Sequence, residues 1–370
     1  MVLKGGIILE NVNEIAAMLG IKTIGDNRNY WLVRTAGGKY FNDFFFDEYI
    51  AIGWNKINLS EINQWNKKQT KEKIKELYPE QKRSGLIAGQ LIRFVKELKK
   101  GDIVLVPDKD SRFVAFGEII EENVYIENTD AQEAAEDLIV DPDEEIIEDD
   151  CVEEEDEDED TDGCEEDKDV VETCPFQKRR KVKWIKTVKK HLLDINIYKL
   201  FHSHNTISVA NSYAQYIDRT LYSFFIKDNK VHVIFEVKKK DEVNAVELND
   251  AIHNFLSCVD VFNEITESDF DKKDIEMKIK VESPGPIEFI SDAAGAGLLI
   301  GIVTIFLFGG KGSFKFTEDE QSGNIGTPGL FGTILKFREQ KSKEKVIELE
   351  ARLLESRENL NITLPKNEED

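Results

Sequence analysis

An α+β fold in two or three domains is predicted by three features of the sequence. Between Ile24 and Asp130, short runs of β-branched and aromatic residues are closed by Gly, Pro, Asp and Asn turns. Between Leu221 and Val259, an alternating hairpin is followed by a helical apolar stripe. The length of 370 residues exceeds one ordinary domain and suits two or three of roughly 100 to 200 residues each. Hydrophobic residues make up 41% of the chain and include 22 Phe and 4 Trp, which is too much core material for a disordered protein.

In chain order, the first strand is Tyr30-Trp31-Leu32-Val33-Arg34, ended by the Gly37-Gly38 turn, and the second is Tyr49 to Trp54. Leu91, Ile92, Phe94, Val95 and Leu98 recur at helical spacing within Leu86 to Leu98, and Gly101 stands where a helix end favours a left-handed residue. Strands follow at Asp102 to Val106 and Arg112 to Ile120. Another comes only after the acidic tract, at Arg180 to Ile185. In the second half, Leu221 to Ile226 and Val231 to Val237 flank the turn Lys227-Asp228-Asn229-Lys230. A helix with Val246, Leu248, Ile252, Phe255, Leu256 and Val259 on one side follows, then a strand at Lys278 to Val281.

Two stretches are set apart by composition. Residues 136 to 169 hold 22 Asp or Glu against one Lys, a local charge of −21 that leaves about −3 of the total −24 for everything else. The acidity belongs to one segment, so the folded parts are free to meet nucleic acid. Ala293 to Gly310 has 18 residues and no charge, about 27 Å as a helix, close to a bilayer's hydrocarbon thickness. Its Gly297 and Gly301 form a GxxxG step that suits close helix packing. The cysteines at 151, 164, 174 and 258 show no zinc spacing, and the N-terminus shows no secretory signal, so a reducing cytoplasm is expected.

The run WLVRTAGGKYFNDFF, then AIGW, FVKELKKGDIVLVP, FVAFGEI and RKVKWI resembles the PUA/EVE-like module at the N-terminus of Mrr-type restriction and defence proteins. That resemblance implies a β-barrel module over 24–190, with 136–170 as an acidic disordered insertion and Val182 to Ile185 pairing back onto Phe113 to Ile120. The remaining expected divisions are an N-terminal helical extension at 1–23 and a small α+β domain at 191–290. The apolar segment, 291–312, and a helical, charged tail, 313–370, complete them. The small domain, with Ser283-Pro284-Gly285 near its end, resembles uncharacterised bacterial proteins and implies no chemistry.

Resembling modules bind nucleic acid, some holding a base among aromatic rings, which makes Tyr30, Trp31, Arg34, Phe41, Trp54 and Trp184 the candidate ligand residues. Aromatic residues at alternating strand positions are more often core. Residues 177 to 191 carry eight cations and no carboxylate, and Lys178, Arg179, Arg180, Lys181 and Lys183 are the candidate phosphate contacts. Glu236-Val237-Lys238 is an ExK step of the kind metal-dependent nucleases use, with both polar side chains on one strand face. No aspartate is placed by the hairpin register to complete it. No cofactor loop, nucleophile elbow or metal-ligand spacing is present, so neither a cofactor nor a resident metal is expected.

The leading expectation is a bacterial defence-type sensor and effector, a binding protein rather than an enzyme. It binds nucleic acid or a nucleotide-derived ligand through the first module and acts at the inner membrane through 293–310. Self-association is expected through the C-terminal helix, whose Val346, Leu349, Leu353 and Leu354 suit a coiled coil. A restriction-like nuclease using Glu236 and Lys238, or a soluble interaction scaffold, are the alternatives.

Overall fold

The computed structural model describes residues 22–133, 173–203, 205–237, 243–266, 269–279, 285–292 and 344–363. The chain forms two compact units, Arg28–Asp218 and a second made of residues 1–27 and 219–370. Both are mixed α and β. The first boundary falls 28 residues beyond the expected one at 190, and the strand β1 (Lys22–Thr23), which precedes the first unit, belongs to the second.

The first unit begins with β2 (Tyr30–Val33), α1 (Phe41–Phe46) and β3 (Tyr49–Ile52), then three helices: α2 (Leu59–Gln64), α3 (Lys67–Leu77) and α4 (Ser84–Ile92). The helix expected over Leu86 to Leu98 is α4 continued by a π-type turn, Arg93–Glu97, in which the Leu98 amide donates to the Arg93 carbonyl at 2.9 Å. Gly101 follows at φ +88, the left-handed backbone that glycine adopts without strain. Strands β4 (Ile103–Pro107), β5 (Phe113–Ile119), β6 (Tyr125–Ile126) and β7 (Lys178–Lys189) come next, then α5 (Ile195–Tyr198) and β8 (Ile207–Val209).

These strands make a curled half-barrel in the order β3-β7-β5-β4-β2-β8, with β6 also on β7. β7 is long because it serves two neighbours: residues 178 to 181 pair with β3, and 182 to 189 pair with β5. A register shift between Phe116 and Gly117 leaves Ile185 as the extra residue of a bulge. Inside the curl, Trp31, Tyr49, Trp54, Ile87, Phe94, Val104 and Val182 form one apolar cluster. The register of β8 on β2 explains the boundary. Without residues 207 to 209 that edge of the sheet would be bare.

The second unit contains the end of α6 (Ala214–Leu221), β9 (Phe224–Lys227), β10 (Lys230–Val237), α7 (Ala245–Thr266), β11 (Glu276–Ile279), β12 (Gly285–Asp292), α8 (Glu344–Asn359) and β13 (Ile362–Thr363). Asp228 and Asn229 both have positive φ, which is the two-residue hairpin turn that matches strand twist. The sheet runs β1-β9-β10-β12-β11, with β13 on β10. Val231, Val233, Phe235 and Val237 face Phe255, Cys258 and Val259 of α7 and Leu349 and Leu353 of α8. The tail helix is therefore core. Its apolar stripe is used inside the chain, with Asn254 Nδ2 donating to Ser356 Oγ at 3.1 Å beside it, so Val346, Leu349 and Leu353 offer no coiled-coil seam.

Several expectations lie outside the described residues: the helical extension at 1–23 except for Lys22–Thr23, which form a strand, the acidic tract, the apolar run with Gly297 and Gly301, Lys238, and the tail from 313 to 343. Among the described residues no helix is long and apolar enough to cross a membrane.

Candidate nucleic-acid interface

The predicted aromatic set divides into core and surface. Tyr30 is buried on β2 and donates its hydroxyl to Asp218 Oδ1 at 2.6 Å. Trp31 is buried beside it, and its indole donates to Asp102 Oδ2 at 2.9 Å. Asp102, just past Gly101, also accepts from the Asn29 and Lys99 amides at 2.9 Å, so the tryptophan is one member of a helix-to-strand clamp. Arg34 is spent on the carbonyls of Phe201 and Ser203. Trp54 is 1% exposed. As ligand residues Tyr30, Trp31 and Trp54 are corrected to core, and Arg34 to a backbone clamp. An alternating strand hides every second aromatic in the curl, and burial of both faces hides the rest.

Phe41 and Trp184 are half-buried, packed against the edge of that core, and are joined by residues the sequence reading passed over. Phe41 stacks on Phe45 at 5.8 Å and 11°, and Phe45 stacks on Trp184 at 5.6 Å and 28°. Phe46, 76% exposed, sits edge-on to Phe45. Two backbone features set this ladder. The stretch FNDFFF is a one-and-a-half-turn helix, α1, whose i and i+4 positions bring Phe41 over Phe45. Opposite it, Trp184 lies across Gly117, where a Cβ would come within 2.2 Å of Val182 Cγ1 and 2.8 Å of Trp184 Cε3. Only glycine lets the indole lie that flat.

The cations also divide. Lys178, Arg179 and Arg180 are buried. Lys178 Nζ donates to the Trp54 carbonyl at 2.9 Å, and Arg179 packs on the Tyr49 ring at 4.1 Å and donates to the Phe176 carbonyl at 3.0 Å. Arg180 donates to the carbonyls of Phe94, Val95 and Glu122 at 2.9 to 3.0 Å. These three are corrected from phosphate contacts to internal donors. Lys181 lies over the Tyr125 ring at 5.6 Å. Lys183 is opposite Glu118 in the β5 register, on the face away from Trp184. Trp184, Thr187 and Lys189 share one side of β7, across from Gly117, Ala115 and Phe113. Beyond Phe113 the rim continues through Arg112, whose carbonyl accepts from the Lys190 amide, and Lys109, against whose backbone Gly38 is packed. Lys39, Lys109, Arg112 and Lys189 are exposed along this rim, Arg112 Nε lying 3.6 Å from Asp108 Oδ2.

A third grouping was legible in neither charge nor periodicity. Asn55, in the turn after β3, bonds to described residues on either side of the acidic tract in sequence. Its amide N–H is shared by the two Glu133 oxygens at 3.2 and 3.1 Å, its Nδ2 donates to the Pro175 carbonyl at 2.8 Å, and its Oδ1 accepts from the Gln177 amide at 3.1 Å. The Tyr78 hydroxyl donates to Glu133 at 3.0 Å while its oxygen accepts from the Lys56 amide at 3.0 Å. Burial pushes the Glu133 carboxyl above the usual carboxylate range and pulls Lys178 down to about 8. Trp54 has φ +58, a left-handed conformation that costs a bulky residue about 1 to 3 kcal/mol.

In the second unit Glu236 is half-buried on β10, between Pro286 of β12 and Thr363 of β13. The pairing of β9 ends at Phe224 opposite Val233, so two strands outside the hairpin flank Glu236. Among the described residues no group of three or more His, Cys, Asp or Glu is placed to hold a metal ion. The carboxylate at this sheet's centre is Glu288, buried, with His232 Nδ1 at 2.7 Å and Arg219 at 3.5 Å, and the Phe225 ring stacked on His232 at 4.6 Å.

No curated protein and no solved structure matches the chain. Residues 30 to 136, which carry β2 through β6 and the ladder helix α1, match the family model described as a domain of unknown function, DUF8426.

Proposed function

We infer that the first unit is a nucleic-acid or nucleotide-ligand sensor of PUA/EVE-like type, and that the chain is a bacterial defence-type effector. The observation that carries this reading is the Phe41–Phe45–Trp184 ladder, with exposed cations along the neighbouring rim of the half-barrel. Half-exposed stacked rings with an exposed Phe46 beside them accept a base whatever its sequence, and nearby Lys and Arg neutralise phosphates. The effector half of the reading rests on the uncharged run 293–310, which would act at the inner membrane.

Fluorescence anisotropy with a single-stranded oligonucleotide tests the sensor half. Phe46→Ala removes an exposed ring at no cost to the core and should weaken binding by about 1 to 3 kcal/mol. Lys189→Ala should lower the slope of log affinity against log salt by about one. Isotherms that match wild type in both variants would remove this surface as the interface.

A further inference from the structure

The turn after β3 gathers buried hydrogen-bond donors around one carboxylate, and not all of them have acceptors. Glu133 accepts from the Asn55 amide and the Tyr78 hydroxyl. The Lys56 amide donates to the same phenol oxygen, which turns the Tyr78 proton toward Glu133. Beside them Lys178, 1% exposed, has three N–H donors and gives one to the Trp54 carbonyl. The Trp54 indole N–H is buried with no acceptor among the described residues. A buried donor without an acceptor is costly, and Trp54 is in addition held in a left-handed backbone. A carboxylate offers two oxygens where a phosphate offers three or four.

We propose that the Trp54–Asn55 turn, Tyr78 and Lys178 form a phosphate-binding site whose place is held in the free chain by the Glu133 carboxylate. The site is separate from the aromatic ladder and does not depend on it. Glu133 competes with the incoming anion for the Asn55 amide and the Tyr78 hydroxyl. An internal competitor lowers apparent affinity by the fraction of time it vacates the seat. The phosphate can come from a free nucleotide or from a nucleic-acid backbone, since both present the same oxygens.

The test titrates the full chain with inorganic phosphate, a 5′-mononucleotide, and an oligonucleotide lacking terminal phosphates, read by tryptophan fluorescence and by ¹⁵N shifts of the Asn55 amide and Trp54 indole. In wild type, phosphate should move both resonances saturably. Glu133→Gln removes the competing charge and should tighten phosphate binding about tenfold or more. Tyr78→Phe in that background keeps the ring under Lys56 and should reverse most of the gain. Tightest binding by the mononucleotide marks a free nucleotide as the source, and tightest binding by the oligonucleotide marks the backbone. Three results overturn the proposal: no saturable shift in wild type, no tightening in folded Glu133→Gln, or tightening that Tyr78→Phe leaves unchanged. Oligonucleotide binding that needs Phe46 but moves neither resonance would defeat this site and leave the ladder reading intact.

Discussion

Arg180→Met separates a structural cation from a nucleic-acid contact. The Arg180 guanidinium, 1% exposed, donates Nε to the Phe94 carbonyl, Nη2 to Val95 and Nη1 to Glu122. The first two carbonyls belong to the π-type turn that ends the α4 helix, so Arg180 caps its negative end. Burial pulls the group down to about 10, still fully charged at neutral pH. Each charge-assisted bond contributes about 1.5 to 3 kcal/mol, and the stranded carbonyls recover part of that from water, so the net loss should be about 3 to 5 kcal/mol. With a urea slope near 2 kcal/mol per molar, the midpoint should fall by about 2 M. All four tryptophans, at 31, 54, 65 and 184, lie in the first unit, so their fluorescence follows that unit alone. Arg180→Lys should rescue little, because a point ammonium cannot reach three carbonyls. A variant with the wild-type midpoint and lost, salt-dependent oligonucleotide binding would refute the capping role.

Two further outcomes follow from the same unit. Gly117→Ala places a methyl inside the contact distance of Val182 and Trp184, so it should cost about 1 to 3 kcal/mol and lift Trp184 off Phe45. Near-UV circular dichroism would report the lost stacking, and an unchanged spectrum with an unchanged melting point would contradict the geometry. Lys178 sets a pH dependence. Its folded value of about 8 lies below the ordinary 10.5, so between those limits the unfolded chain carries more protons and stability rises with pH, by at most about 1.4 kcal/mol per unit. Cys174, pushed up to about 11, opposes this from pH 9 onward, which leaves pH 8 to 9 as the clean window. Urea midpoints should climb there in wild type and stay flat in Lys178→Met; a falling wild-type curve would show that Lys178 is not buried as charge.

Local chemistry in the sequence determined the elements. Short β-branched and aromatic runs form β2 to β5, the helical stripe ends at left-handed Gly101, and Asp228-Asn229 closes the hairpin, because each depends on neighbours a few residues away. The acidic tract was equally legible as composition. Long-range pairing decided the rest. β7 extends to 12 residues because two strands pair with it, β8 moves the unit boundary to 218, and α8 becomes core because α7 needs a second cover. The same cause redirected the site. A run of eight cations reads as one stripe, yet strand alternation and the curl bury three of them against carbonyls and turn Lys183 away from Lys189. Phe45 and Phe46 carried a visible signal, aromatic residues at i+4 and i+5 from Phe41, but only the approach of β7 showed which ring meets Trp184. The Glu133 seat joins residues 54, 55, 78, 133 and 178, and no pattern along the chain links positions so far apart.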